Sequence, residues 1–141
     1  MLDQLDRIPD AAAVPATIAA TRAAGQRVFG FGSRAYAGED LRPSLMRDEW
    51  LAIGGDAGRR ADAIEIERAI VTELARIGRP LQANVDYCAA LLLEACGLPR
   101  SAFTPFFAAA RSAGWMGHAA EQRAKGRMIR PVSHYAGIGL T

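Results

Sequence analysis

Apolar and polar positions recur along this chain mainly with the period of an α-helix. From about Arg59 to Ile77, Ile66, Ile70, Leu74 and Ile77 fall at helical spacing with charges opposite, which predicts an amphipathic helix ended by Gly78-Arg79-Pro80. Asn84 is placed to cap a second, more apolar helix through Val85, Leu92 and Cys96, closed by Gly97-Leu98-Pro99. Ser101 then caps a long helix from about Ala102 to Lys125, with Glu121, Arg123 and Lys125 in its second half. Upstream, Asp10 N-caps an alanine-rich helix to Ala24, with Pro15 in its first turns or kinking it and Gly25 as its stop. A polar loop from Gly38 to Arg42 leads into a helix from Pro43 to Ile53, stopped by Gly54-Gly55. The stretch Val28-Phe29-Gly30-Phe31-Gly32 reads as a strand or as a buried turn where glycine lets backbone approach a ligand closely. The tail from Arg130 to Thr141 is irregular, strand signals are nearly absent, and the expected class is all-α.

Composition narrows the function classes. Half of the 141 residues are apolar and 23% are charged, which fits one domain or a piece of a larger one that needs no disulfide or metal to fold. A net charge of +2 without a Lys/Arg block argues against nucleic acid. Of the 17 basic side chains only Lys125 is a lysine. The arginine fork suits carboxylates and phosphates, so the bias fits an anionic ligand, or equally a GC-rich genome. Cys88 and Cys96 are too few for a disulfide framework, and with two histidines no metal site is expected. No apolar run approaches the ~20 residues that span a bilayer, and Met1-Leu2-Asp3-Gln4 does not open a signal peptide. The cytoplasm is the expected compartment.

Two kinds of residue invite chemistry. Asp86 lies two residues after Asn84, in the first turn of a helix, where free backbone N–H groups and the helix dipole stabilise a carboxylate. Ordinary helix-end electrostatics and a catalytic base both fit. Arg111 sits in the apolar stretch Phe106 to Trp115, where a charge needs a partner. A salt bridge to Glu94 or a bound carboxylate would each supply one.

Four segments resemble, in order, the C-terminal part of the citrate synthase family. They are Gly30-Phe31-Gly32-Ser33-Arg34-Ala35-Tyr36 with Asp40-Leu41-Arg42 behind it; Asn84-Val85-Asp86-Tyr87; Phe103-Thr104-Pro105-Phe106-Phe107-Ala108 with Ala110-Arg111-Ser112-Ala113-Gly114-Trp115; and Arg127-Met128-Ile129-Arg130-Pro131 with Tyr135-Ala136-Gly137. The resemblance covers residues 1–141 as one C-terminal region and implies a helical bundle that includes the family's small domain, truncated at its N-terminus. It implies an acyltransferase that condenses an acyl-CoA, such as acetyl-CoA, with oxaloacetate or a related 2-oxo acid. Acyl-CoA is then a substrate, and no cofactor is held permanently.

By the same resemblance Asp86 is the enolising base, and Arg42, Arg111 and Arg130 hold the carboxylates of an oxaloacetate- or citrate-like acid. Gly30, Phe31 and Gly32 meet CoA through backbone. Ser33 stands at the position of the family histidine that hydrogen-bonds the keto group. Ser33, Arg42, Asp86 and Arg111 are expected to face one cleft, with Arg130 acting across a dimer. Ala37 stands where some members carry a basic residue toward the CoA phosphates, and Leu41 replaces a proline. His118 and His134 match no catalytic position. The family's second histidine belongs to upstream sequence, so the chain is expected to need an N-terminal-half partner chain, or a homodimer, and to be inactive alone. The alternative is a non-catalytic module binding di- or tricarboxylate or CoA, or a truncated remnant.

Overall fold

The computed structural model describes residues 1–33 and 40–128. It contains six α-helices among those residues: α1 (Leu2–Leu5), α2 (Val14–Ala23), α3 (Leu41–Ile53), α4 (Ala57–Arg76), α5 (Val85–Ala95) and α6 (Phe103–Lys125). Short 3₁₀ turns, Ala11–Ala13 and Arg100–Ala102, lead into α2 and α6. The only sheet-like feature among the described residues is an isolated antiparallel bridge between Phe31 and Ala83. The all-α class follows, and Val28 to Gly32 resolves to the turn rather than the strand. No helix among the described residues is long and apolar enough to cross a membrane.

The helix boundaries follow the caps. Asp10 accepts from the Ala13 N–H at 2.9 Å and starts the 3₁₀ turn that α2 continues, with Pro15 in the first turn of α2. Asp56 caps α4 by accepting from Arg59 N–H at 2.8 Å. Glycines with positive φ follow α3, α4 and α5 at Gly54, Gly78 and Gly97. Two boundaries differ from expectation. Leu41 and Arg42 are helical, not loop, because Asp40 is the N-cap of α3 and accepts from the Arg42 N–H. Pro43 is tolerated there because first-turn N–H groups have no helical acceptor in any case. Ser101 does not cap α6. It lies inside the 3₁₀ turn that Pro99 begins, with Ala102 N–H donating to the Pro99 carbonyl at 2.8 Å.

Two compact units divide the chain, Met1–Phe103 and Thr104–Thr141. The first has a continuous core in which Leu2, Leu5, Val14, Ile18, Trp50, Ile66, Ile70, Leu74, Tyr87 and Leu91 are all buried. Its most extensive helix packing is α3 along α5. Arg47 of α3 reaches Cys88 of α5, and Trp50 shares a cavity wall with Leu91, so the two helices run in the same direction. Their N-terminal ends, bearing Arg42 and Asp86, therefore lie at one end of the unit. Arg47 also pairs with the buried Glu67 of α4, which ties α3 to α4 through a charge pair. Arg100 binds Asp3, Asp6 and Glu94 at 2.6, 2.7 and 3.0 Å, which pins the short α1 to the far end of α5.

Candidate functional site

Asn84 is the centre of the site's construction. Its Oδ1 accepts from the N–H groups of Asp86 (2.9 Å) and Tyr87 (3.3 Å), so it caps α5 as its position in the sequence suggests. Its other atoms face away from the helix. Nδ2 donates to the Gly32 carbonyl at 2.8 Å, and its backbone N–H donates to the Gly30 carbonyl at 2.8 Å. Gly32 N–H in turn donates to the Gln82 carbonyl at 2.8 Å. One residue thus binds the glycine turn to the first turn of α5, across 52 positions of sequence.

The turn needs its glycines. Gly30 and Gly32 have φ of +85° and +79°, where side chains are strained. A Cβ on Gly30 would sit 3.2 Å from the Tyr87 side chain, and one on Gly32 would sit 3.1 Å from Leu81. Between them Phe31 is buried, its ring 5.3 Å from that of Tyr87 and tilted by 56°. Tyr87 is 1% exposed and donates its hydroxyl to the Ala63 carbonyl at 2.9 Å. Burial pushes its pKa well up, so it stays a neutral hydrogen-bond donor. The buried Tyr87 ring packs beneath the turn, and Ser33 after the turn and Asp86 in the first turn of α5 are both exposed.

A cavity of about 330 Å³ opens beside Ser33. Its floor is apolar, from Val28, Phe31, Leu74 and Leu81, and its rim carries Arg22, Arg27 and Arg79 with Gln26. Among the described residues none of these three arginines forms an ion pair with an acid. An apolar slot with a cationic rim suits a flat ring attached to phosphate. Gly32 is a wall of this cavity and also the acceptor for Asn84, so the cavity connects to the Asp86 end of α5 through two hydrogen-bonded residues. The sequence reading missed Arg22, Arg27 and Arg79. Arg27 precedes the glycine turn and Arg79 closes α4, but nothing local shows that they converge.

The remaining candidates are carried by other elements. Arg42 is 47% exposed and holds Asp40 through two hydrogen bonds, Nε to Oδ1 at 2.9 Å and Nη2 to Oδ2 at 2.8 Å. Arg111 belongs to the second unit and is exposed on α6, with Nη2 3.5 Å from His118 Nε2. Its exposure removes the burial cost that suggested a salt bridge to Glu94, whose ion pairs are instead with Arg59 and Arg100. Arg130, His134, Ala37 and the string Arg34-Ala35-Tyr36 lie outside the described residues. Among the described residues no group of three or more His, Cys, Asp or Glu is placed to hold a metal ion.

Comparison with known proteins gives a consistent match. Residues 1–132 match the family model described as citrate synthase, C-terminal domain. A putative citrate synthase 2 of Mycobacterium tuberculosis (strain ATCC 25618 / H37Rv) is 34% identical over 141 residues, covering 99% of this chain and 36% of that protein. A citrate synthase of Haloferax volcanii is 35% identical over 116 residues, covering 80% of this chain and 29% of its own length. Among solved structures, citrate synthase from Thermotoga maritima superposes with a TM-score of 0.73 at 26% identity, over 97% of this chain and 37% of that one. A ternary complex of carboxymethyl coenzyme A and oxaloacetate with citrate synthase from Thermoplasma acidophilum gives 0.68 at 26% identity, over 99% and 38%. The chain thus spans about a third of the length of the relatives it matches.

Proposed function

This chain belongs to the citrate synthase family, and from that premise we propose that it forms the C-terminal part of an acyltransferase site condensing an acyl-CoA with oxaloacetate or a related 2-oxo acid. The observation that carries this reading is Asn84, which holds the Gly30–Gly32 turn against the helix turn bearing Asp86. Asp86 takes a proton from the carbon next to the thioester carbonyl. The resulting enolate carbon attacks the keto carbon of the acid, forming the new C–C bond, and water then cleaves the thioester to release the CoA thiol. Ser33 donates one hydrogen bond to the keto oxygen. Arg42, Arg111 and Arg130 hold carboxylates. The Arg22, Arg27 and Arg79 rim takes CoA phosphates, with the adenine over Phe31 and Leu81. The carboxymethyl coenzyme A and oxaloacetate of the Thermoplasma complex support this pair of ligand classes.

The part of the family's length that this chain does not span completes the site, whether in the same protein or in another, and α6 offers a surface for it. Phe106, Phe107, Trp115 and Met116 of α6 are 48%, 38%, 57% and 67% exposed, and a helix with apolar side chains on several faces is stable when covered. A serine hydroxyl is shorter than an imidazole and carries no positive charge near neutral pH. Losing one such placed donor costs about 10²–10³ in rate.

Thiol release with acetyl-CoA and oxaloacetate tests this. The chain alone is expected to show none, and a co-expressed N-terminal part is expected to restore turnover that Asp86→Asn then abolishes. Robust turnover by the chain alone would overturn the assignment of essential groups. Turnover that survives Asp86→Asn would overturn the base.

A further inference from the structure

Arg111, Gly114, His118 and Glu121 follow one another on α6 at helical spacing, so they share one face of that helix. Side chains on a helix lean toward its N-terminus. The Arg111 side chain runs the other way, over Gly114 toward His118. Its Nη1 lies 2.9 Å from where a Cβ on Gly114 would stand, closer than a real Cβ comes to any neighbour. Gly114 has no positive φ, so it is the space and not the backbone that calls for glycine there. A Cβ on Gly117, by contrast, would meet nothing within 4 Å.

Beyond Gly114, Arg111 Nη2 stands 3.5 Å from His118 Nε2, a long hydrogen bond, and His118 Nδ1 stands 3.8 Å from Glu121 Oε2. A guanidinium only donates, so Nε2 must accept and the neutral ring carries its proton on Nδ1, toward Glu121. Among the described residues no acid forms an ion pair with Arg111. A neutral imidazole holds a guanidinium without offsetting its charge. A carboxylate in the same place would neutralise it and compete with an anionic ligand.

We propose that Gly114 and His118 are positioning residues for Arg111. The glycine opens a seat for the guanidinium and the imidazole holds its far end, so that Arg111 meets a ligand carboxylate in one orientation and at full charge. This rests on the reading that Arg111 holds a carboxylate of the 2-oxo acid. Both residues act through Arg111 rather than on the reacting atoms.

Two measurements test it. In the full chain at about pH 8, ring-nitrogen NMR shifts are expected to show His118 as the Nδ1–H tautomer, and Gly114→Ala, which unseats the guanidinium, to move it toward the Nε2–H form. The Nε2–H form in the unsubstituted chain would overturn the contact. In the enzyme completed by a co-expressed N-terminal part, thiol release is expected to give His118→Ala a KM for oxaloacetate about three- to tenfold higher, with kcat and the KM for acetyl-CoA within about twofold. His118→Gln, whose amide oxygen can reach the place of Nε2, should restore most of the loss. Gly114→Ala should raise the same KM and Gly117→Ala should not, although both alanines favour the helix. An unchanged KM in His118→Ala and Gly114→Ala, with turnover intact, would overturn the positioning role and leave the acyltransferase reading standing. No turnover in any form of the completed enzyme would overturn that reading and the role that rests on it.

Discussion

Met1–Phe103 and the segment beginning at Thr104 both carry large apolar side chains, but they dispose of them differently. The first encloses Val14, Tyr87, Cys88 and Leu91 in a core tied across its helices by the Arg47–Glu67 pair and the Tyr87 hydroxyl. The second contains most of α6, in which no residue is buried. A helix of 23 residues with phenylalanine, tryptophan and methionine in solvent has the composition of an interior element without its interior. The candidate chemistry divides in the same way. Ser33, Arg42 and Asp86 stand on the unit with a core, and Arg111 stands on the helix without one. A ligand site can be preorganised on the first unit alone, while the contribution of the second depends on what covers it.

The largest effect that would break this contrast is in the core. Leu91→Ala is expected to cost about 2–5 kcal/mol, whereas Trp115→Ala on α6 should stay within about 0.5 kcal/mol. Denaturant unfolding of both variants checks it, and equal losses would mean that α6 is packed in solution. A smaller loss is expected at Asn84. Asn84→Ala removes the cap and the bond to Gly32, for about 2–3 kcal/mol in total. Asn84→Asp keeps the cap but turns the donor facing the Gly32 carbonyl into an acceptor. It should therefore retain much of the stability while losing CoA binding, read by calorimetric titration. The smallest effect is electrostatic. Arg76 holds the Glu73 carboxyl below its ordinary value, as Arg42 does for Asp40. A lowered folded pKa contributes stability that is present above the unfolded value and lost as pH falls through the folded one. Glu73→Gln should thus lower stability slightly near pH 7 and converge with the wild type as pH falls below about pH 4 in an acid titration of unfolding.

Much of this was legible in the sequence because it is local. Asp10 and Asn84 announce helix starts, Gly25, Gly54, Gly78 and Gly97 announce stops, and the spacing of Ile66, Ile70 and Leu74 marks the buried face of α4. The four family-like segments also identify the family that the comparisons show. What escaped was non-local or a matter of competing caps. Ser101 looked like a cap but Pro99 had already set the chain into a 3₁₀ turn, and Asp40 claimed the start of α3 ahead of Pro43. That Asn84 faces two ways, and that Arg22, Arg27 and Arg79 meet around one cavity, depends on how three distant segments pack. The apolar setting of Arg111 read as a buried charge, because a helix that lacks its cover has the sequence of one that is covered.

The central claim is that the glycine turn and the start of α5 form one preorganised CoA-binding unit, held by Asn84. An NMR titration of the full chain with CoA tests it most directly. The account predicts saturable shifts of the Phe31, Gly32 and Ser33 amides together with Arg79 and the Asn84 side-chain amide, all fitting one dissociation constant and absent with pantetheine, which lacks the phosphates. Shifts confined to α6, or identical shifts with pantetheine, would contradict it.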